Sequence, residues 1–311
     1  MNLSELRYIV ALARERHFGR AAAACFVSQP TLSLAVKKLE DELGVALFER
    51  GAHEVHVTPV GERVVEQAQR ALEAVESVRR VAESEGDQLT GPLRIGAIYT
   101  VGPYLFPDLI SNLRERAPRM PLVIEESYTA MLAEKLKRGE LDVIIICLPF
   151  KEPNILTLLV YEEPFVVLLP AAHPLTARQV LSPRNLAQEP VLMLGTGHCF
   201  RDQVIQACPE CAPGAGPSEH AIYTGEGGSL ETIRHMVASG MGLTVFPCTA
   251  AGADRYSQRL LAIRRFAAPE PRRRVALAWR VSFPRPRVID VLQEAITAAP
   301  LSCVRMLDGE G

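Results

Sequence analysis

An all-α N-terminal unit followed by an α/β unit of two lobes is the fold class this sequence predicts, on three observations. Apolar residues recur at helical spacing through the segment before Thr90. After Thr90-Gly91-Pro92 the pattern changes to short apolar runs alternating with amphipathic stretches, as in a sheet crossed over by helices. The length, 311 residues, exceeds one ordinary core.

In chain order, Leu6, Ile9, Val10 and Ala13 define a first helix over 3–16, with Ser4 as its expected cap. An alanine-rich helix follows over 18–25, then a turn at Phe26-Val27 and a new cap at Ser28. Pro30 is tolerated in a first turn, where its missing N–H has no intrahelical partner. Leu32, Val36, Leu39 and Leu43 make one buried face and leave Gln29, Thr31, Ser33, Lys37 and Lys38 outward. Two short helices joined tightly, the second opening on small polar residues, form the helix-turn-helix pattern. Gln29 and Thr31 are placed for base edges, and Ser33, Lys37 and Lys38 for phosphates; with Pro30 and Arg50 they are the expected DNA-facing set. Charge alone does not demand a nucleic acid, since residues 1–58 carry seven Lys/Arg and seven Asp/Glu. The bland alternative is a solvated helix with an ordinary cap.

Segments 47–50 and 55–57, around the polar tip 51–54, read as a hairpin or wing. Thr58-Pro59 then opens a long helix. Its apolar positions Val64, Ala68, Ala71, Val75, Val78 and Ala82 step by four and three, a seam suited either to a partner helix or to its own domain. The helix ends near Gly86, giving domains 1–58, 59–89 and 90–311.

Strands are expected at 93–98, 122–126 and 141–147 with helices over 105–116 and 130–138, a parallel arrangement. A second set has strands at 165–169, 191–194, 221–224 and 243–246 and helices over 200–207 and 230–239. The chain returns through 274–281 and a last helix over 286–298. The lobes are therefore 90–164 with 268–311, and 165–267.

Net charge is −2, with 48% hydrophobic and 23% charged residues, which argues against coating nucleic acid through charge alone. No run of eighteen apolar residues occurs, and the N-terminus lacks the pattern of a signal peptide, so a cytoplasmic protein with no membrane partner is expected. Seven scattered cysteines form no dense even framework; standing disulfides are not expected, and any disulfide should be conditional.

The chemistry concentrates in 195–211, GTGHCFRDQVIQACPEC. A buried run and a glycine turn deliver Cys199 to a helix start, where free N–H groups and the helix dipole favour a thiolate; His198 and Arg201 could add charge. Cys208 lies nine residues on, about 13 Å along a continuous helix. A disulfide needs Cα atoms roughly 5.5–6 Å apart, so bonding this pair would require the helix to unwind. Two plainer readings compete: buried cysteines acting as small apolar residues, and zinc held by His198, Cys199, Cys208 and Cys211, of which only Cys208 and Cys211 have tight ligand spacing. Thr100 and Thr129 each follow a strand, where ligands of open α/β sheets bind; as an alternative, each is a helix cap.

FxxAAAxCFVSQPTLSLAVKKLEDELGVALFER followed by VxxTPVGE resembles the N-terminal domain of the LysR-type transcriptional regulators, and the remainder resembles that family's effector domain, itself similar to periplasmic binding proteins. The resemblance implies a winged helix-turn-helix, a homodimer or homotetramer on pseudo-palindromic promoter DNA, and contact with RNA polymerase. GTGHCFRDQ with a second cysteine nine residues on resembles the hydrogen peroxide-sensing branch. That implies oxidation of Cys199 to a sulfenic acid, its condensation with Cys208, activation of antioxidant genes, and later reduction by a glutaredoxin or thioredoxin system. It also implies a pocket of Thr100, Thr129, His198, Asp202 and Arg273, a redox-sensitive interface at 229–242, no cofactor, no metal and no enzymatic turnover. Cys211 departs from the branch pattern and competes with Cys208, which the spacing favours, as resolving thiol. A metabolite-binding regulator, a thiol peroxidase and a zinc sensor remain as alternatives.

Overall fold

The computed structural model describes residues 1–50, 55–83, 87–211, 228–252, 259–301 and 303–307, with backbone alone at 50, 77 and 79–83. The expected hairpin tip 51–54, the side chains of Arg50 and Ala82, the helix end at Gly86, the turn-rich loop 212–217 and the strand expected at 221–224 lie outside the described residues.

The first helix is Leu3–Glu15, and Asn2 rather than Ser4 caps it. Asn2 Oδ1 accepts from the Glu5 N–H at 3.0 Å while the Asn2 N–H donates to Glu5 Oε2 at 2.8 Å, a reciprocal box that only a cap three residues before Glu5 can close. His17 caps Phe18–Ala24 through Nδ1. Ser28 caps Gln29–Leu43 as expected, and Gly44 at φ 69° ends it. Leu6, Ile9, Leu12, Ala21, Leu32, Val36 and Leu39 join in one buried cluster, so three short helices share a core that none could bury alone. Strands Phe48–Arg50 and Val55–Val57 pair antiparallel beside it.

The long helix is Pro59–Glu83. Thr58 Oγ1 accepts the Gly61 N–H at 2.9 Å, the expected cap. Half of the expected seam is already occupied within this chain: Ala68 is buried, and Val64, Val65, Ala71 and Leu72 pack on the N-terminal core. Val78 is exposed. Asn154 Nδ2 donates to Glu66 Oε1 at 2.6 Å, and Glu73 pairs with Arg280 at 2.8 Å, fastening the helix to the α/β unit.

In that unit Leu122–Ser127, Leu93–Ile98 and Val143–Cys147 run parallel, followed in the sheet by Arg272–Arg280 and Ile155–Pro170, both pairing antiparallel. The sheet is therefore mixed rather than purely parallel: the returning segment enters as a strand directed against its neighbours, with no crossover helix to reverse it. The sixteen-residue strand Ile155–Pro170 serves two sheets. Its first part, through Pro164, pairs with Arg272–Arg280; from Phe165 onward it pairs with Leu261–Phe266 and Leu243–Pro247. Two buried clusters result, one around Ile95, Leu105, Ile144, Leu277 and Leu292, the other around Val167, Leu192, Phe200, Val237 and Phe246. Tyr104 bridges them by donating to Glu231 at 2.7 Å.

The expectation of no standing disulfide is corrected: Cys208 is bonded to Cys211, and Cys248 to Cys303. Composition could not reveal the second bond, because its cysteines are 55 residues apart. The short strand Arg305–Met306 lies along Glu162 and Tyr161 and brings the tail to the end of Leu243–Pro247.

At Gly61 the long helix lies close against the N-terminal core: a Cβ there would stand 2.1 Å from the Leu47 carbonyl oxygen. Gly61→Ala should destabilise the N-terminal unit by about 1–3 kcal/mol, as overpacking does, read as a lowered thermal midpoint in circular dichroism.

Candidate functional site

Strand register assembles the site. Leu93–Ile98 and Leu122–Ser127 pair in parallel with Ile98 opposite Ser127, so Thr100 and Thr129 each stand two residues beyond the paired ends, at the same edge of the sheet. On the other side Ala97 is opposite Ile145, which sets Cys147, the last residue of its strand, level with Tyr99. These carboxyl ends face the start of the helix Cys199–Ala207, whose cap is His198. Gly197 delivers the turn at φ +92°, a left-handed conformation suited to glycine, with the Tyr128 ring about to touch any added Cβ.

Cys199 is a free, partly buried thiol. It packs on the core cluster that contains Cys147; Cys147 and Thr129, the donor groups beside its sulfur, and the nearby positive charge of Arg273 together overcome burial and pull its pKa down from the ordinary thiol value to about 6. The Thr129 hydroxyl is buried and makes no hydrogen bond to any other group among the described residues, which leaves it available to the site. Cys147 is pushed the other way, first by its neighbour Cys199 and then by burial, so it stays a neutral thiol.

Arg273 is fully buried. The cross-strand register sets it opposite Glu163, and the two pair at 2.5 Å with both side chains excluded from solvent. Its Nη1 and Nη2 donate at 2.8 Å to the Thr100 hydroxyl and carbonyl oxygens, and its guanidinium lies 5.2 Å from the centre of the Phe200 ring. Thr249 donates its hydroxyl to the second Glu163 oxygen at 2.7 Å. Every polar atom of this charged pair is thereby engaged, which buried charge requires.

Tyr99, Tyr128 and His198 form an aromatic roof, with ring centres 4.8–5.9 Å apart. Burial pushes the His198 pKa down, so this ring is neutral at neutral pH and does not supply the positive charge expected from its place beside Cys199. Arg201 points its guanidinium to the Leu194 carbonyl. The cation that favours the thiolate is Arg273, far off in sequence. Asp202 sits exposed in the first turn and its charge opposes the thiolate, so of the residues expected to form the pocket it alone acts against ionisation. Cys208 closes the other end of the helix and is buried in its bond to Cys211. Among the described residues no three His, Cys, Asp or Glu side chains converge as metal ligands.

Sequence reasoning missed Cys147, Glu163, Tyr99 and Tyr128. The tyrosines were findable, each standing beside a threonine already chosen for following a strand. Cys147 ends the run Val143–Cys147, where a cysteine is indistinguishable from core.

At the other end of the chain, Gln29, Pro30, Thr31, Lys37 and Lys38 are exposed on Gln29–Leu43 and Ser33 is half-buried. The Thr31 hydroxyl is 2.8 Å from that of Ser28, and Lys38 pairs with Glu5 at 3.2 Å. The peroxide-pocket set and the DNA-facing set are thus two separate groups in the structure.

Alkylation of Cys199, followed by peptide mass spectrometry, should have its midpoint near pH 6: the thiolate dominates above it, and reactivity falls as the pH drops through it. Thr129→Val should raise that midpoint by about one pH unit, the worth of a hydrogen bond to a charged group. Glu163→Gln should lower stability by about 3–5 kcal/mol in denaturant titration, because it leaves Arg273 buried without its counter-ion.

Residues 3–62 match the bacterial regulatory helix-turn-helix proteins of the lysR family, and residues 86–300 match the LysR substrate binding domain. The chain is 40% identical over 298 residues to the DNA-binding transcriptional dual regulator OxyR of Escherichia coli K12, covering 96% of this chain and 95% of that one. It is 37% identical over 308 residues to a probable hydrogen peroxide-inducible genes activator of Streptomyces viridosporus, covering 98% and 97%. Among solved structures it is similar to a full-length cysteine-to-aspartate variant of OxyR from Pseudomonas aeruginosa, at 51% identity and a TM-score of 0.84, covering 100% and 99%. A hydrogen peroxide-bound cysteine-to-serine variant of Corynebacterium glutamicum OxyR matches at 33% identity and a TM-score of 0.62, covering 95% and 92%. The helix-turn-helix, the two-lobed α/β unit and these full-length likenesses have one reading: the chain belongs to the LysR family of transcriptional regulators, in its OxyR branch.

Proposed function

We propose that this protein is a hydrogen peroxide-responsive, DNA-binding transcriptional regulator of antioxidant genes. The observation that carries the proposal is Cys199, a thiol held as thiolate at neutral pH beside Thr129 and Arg273 and next in the chain to His198, whose ring packs with Tyr99 and Tyr128. The thiolate attacks one peroxide oxygen, the O–O bond breaks, hydroxide leaves and takes up a proton, and Cys199 becomes a sulfenic acid. The Thr129 hydroxyl and the neutral His198 ring can orient the peroxide by hydrogen bonds, while Arg273 favours the anionic nucleophile. The sulfenic acid then condenses with Cys208.

That second step places two demands on the chain. The Cys208–Cys211 bond opens by reduction or thiol exchange, and the helix Cys199–Ala207 unwinds to bring together residues about 13 Å apart along its axis. Unwinding displaces Phe200 and Val204 from the second core, and this repacking is the signal passed to the DNA-reading ends. A glutaredoxin- or thioredoxin-type dithiol returns the protein to the reduced state. Assembly as a homotetramer of two dimers would use the exposed end of Pro59–Glu83 and the segment around Leu230–Ala238. Gln29 and Thr31 read base edges in promoter DNA, and Ser33, Lys37, Lys38 and Arg50 hold phosphates, with Pro30 opening their helix; RNA polymerase is the downstream partner and the cytoplasm the place of action. Nothing in this scheme calls for a cofactor or metal, and no turnover of substrate is part of it.

The test is a DNA footprint before and after peroxide. Wild type should change its protected pattern and Cys199→Ser should not; a peroxide-dependent change that survives in Cys199→Ser would defeat the reading. Lys37→Ala should weaken binding about equally on specific and non-specific DNA and reduce the salt slope by about one counter-ion.

A further inference from the structure

We propose that Cys147 is the first thiol to capture oxidised Cys199, forming a Cys147–Cys199 disulfide inside the folded site before any helix unwinds. The inference rests on the reading of Cys199 given above and adds a residue to it.

Three geometric observations converge on this pair. Strand register sets Cys147 at the carboxyl end of Val143–Cys147, level with Tyr99. The helix bearing Cys199 is docked on that strand end: Gln203 Nε2 donates to the Leu148 carbonyl, next to Cys147, at 3.3 Å. Gln203 is four residues from Cys199 and shares its helix face, so the contact that anchors one turn lays the other against Cys147. Both thiols are free, and Cys199 packs against the buried cluster to which Cys147 belongs. Cys208, by contrast, is at the far end of the helix and already bonded to Cys211.

The chemistry has a built-in order. In the reduced state Cys147 donates its proton toward the Cys199 thiolate, and that neighbour keeps it neutral and unreactive. Oxidation of Cys199 to the uncharged sulfenic acid removes the anion, the largest of the influences that keep Cys147 protonated; burial and Glu163 still oppose its ionisation, and Arg273 favours it. The Cys147 sulfur then attacks the Cys199 sulfur: an S–S bond forms, the S–O bond breaks, and hydroxide leaves with the proton from Cys147 as water. Over both steps two thiols and one hydrogen peroxide give one disulfide and two waters. Once a dithiol reductant has opened Cys208–Cys211, the Cys208 thiolate can attack the Cys199 sulfur and expel Cys147, passing the bond on without a further oxidant. Capture within the pocket limits over-oxidation of Cys199 while the slower rearrangement proceeds.

The experiment is a quenched time course on the full-length protein, treated with equimolar hydrogen peroxide, stopped by acid, alkylated and mapped by peptide mass spectrometry, with parallel samples trapped by a sulfenic acid reagent. The expected result is a Cys147–Cys199 linked peptide in the earliest oxidised sample, preceding any Cys199–Cys208 link. Cys147→Ser, which keeps a hydroxyl donor but cannot form the bond, should lose that peptide and accumulate several-fold more trapped Cys199 sulfenic acid. If Cys199 is trapped as sulfenic acid but its first link in wild type is to Cys208, with no Cys147 peptide at any time, the inference fails and the peroxide-sensing reading stands. If Cys199 is never oxidised, both fail.

Discussion

The buried pair of Arg273 and Glu163 is the interaction on which the site depends. A guanidinium without solvent is tolerable only when each of its donors is met, and here the carboxylate, the Thr100 hydroxyl and the Thr100 carbonyl meet them. The pair is nearly neutral overall, yet its positive end lies toward Phe200 and Cys199 while its negative end is turned toward Thr249. The thiolate therefore feels a cation without the site carrying a net uncompensated charge. That division of one ion pair lets a buried sulfur ionise where burial alone would oppose it.

The pair also sits where the lobes join. Glu163 belongs to the strand shared by both sheets, Arg273 to the strand that returns beside it, Thr100 to the first lobe and Thr249 to the second. Anything that moves one lobe on the other must pass through a fully bonded charged cluster, which has discrete arrangements rather than a continuum. The helix Cys199–Ala207 packs Phe200 against Phe165 of that same shared strand. A chemical change at its first residue is thus mechanically close to the crossing.

The cysteines divide into roles by neighbourhood rather than by exposure. Cys199 ionises because donors and a cation surround it; Cys147 stays protonated because its nearest neighbour is that anion. Cys208 and Cys211, three residues apart, are bonded to each other, and Cys248 and Cys303 join the tail to the second core. One nine-residue helix thus has the free thiol Cys199 at its first residue and the bonded pair Cys208–Cys211 at its other end.

What the sequence by itself determined follows from local physics. Helical spacing, the caps at Ser28 and Thr58, and the turn before Cys199 depend on residues within one or two turns, so Gln29–Leu43, Pro59–Glu83 and the position of Cys199 at a helix mouth were all legible, as were Thr100 and Thr129 after their strands. The tertiary structure decided whatever rests on contacts between distant segments. Of the residues expected to add charge, His198 is made neutral by burial, which is invisible locally, whereas Arg273, expected there only from the family resemblance, gains its place through cross-strand register. Cys147 could not be told from core in an apolar run, and Cys248 and Cys303 could not be paired across 55 residues. Local sequence sets the conformation of a segment; which side chains share a solvent-free space is fixed only when the strands align.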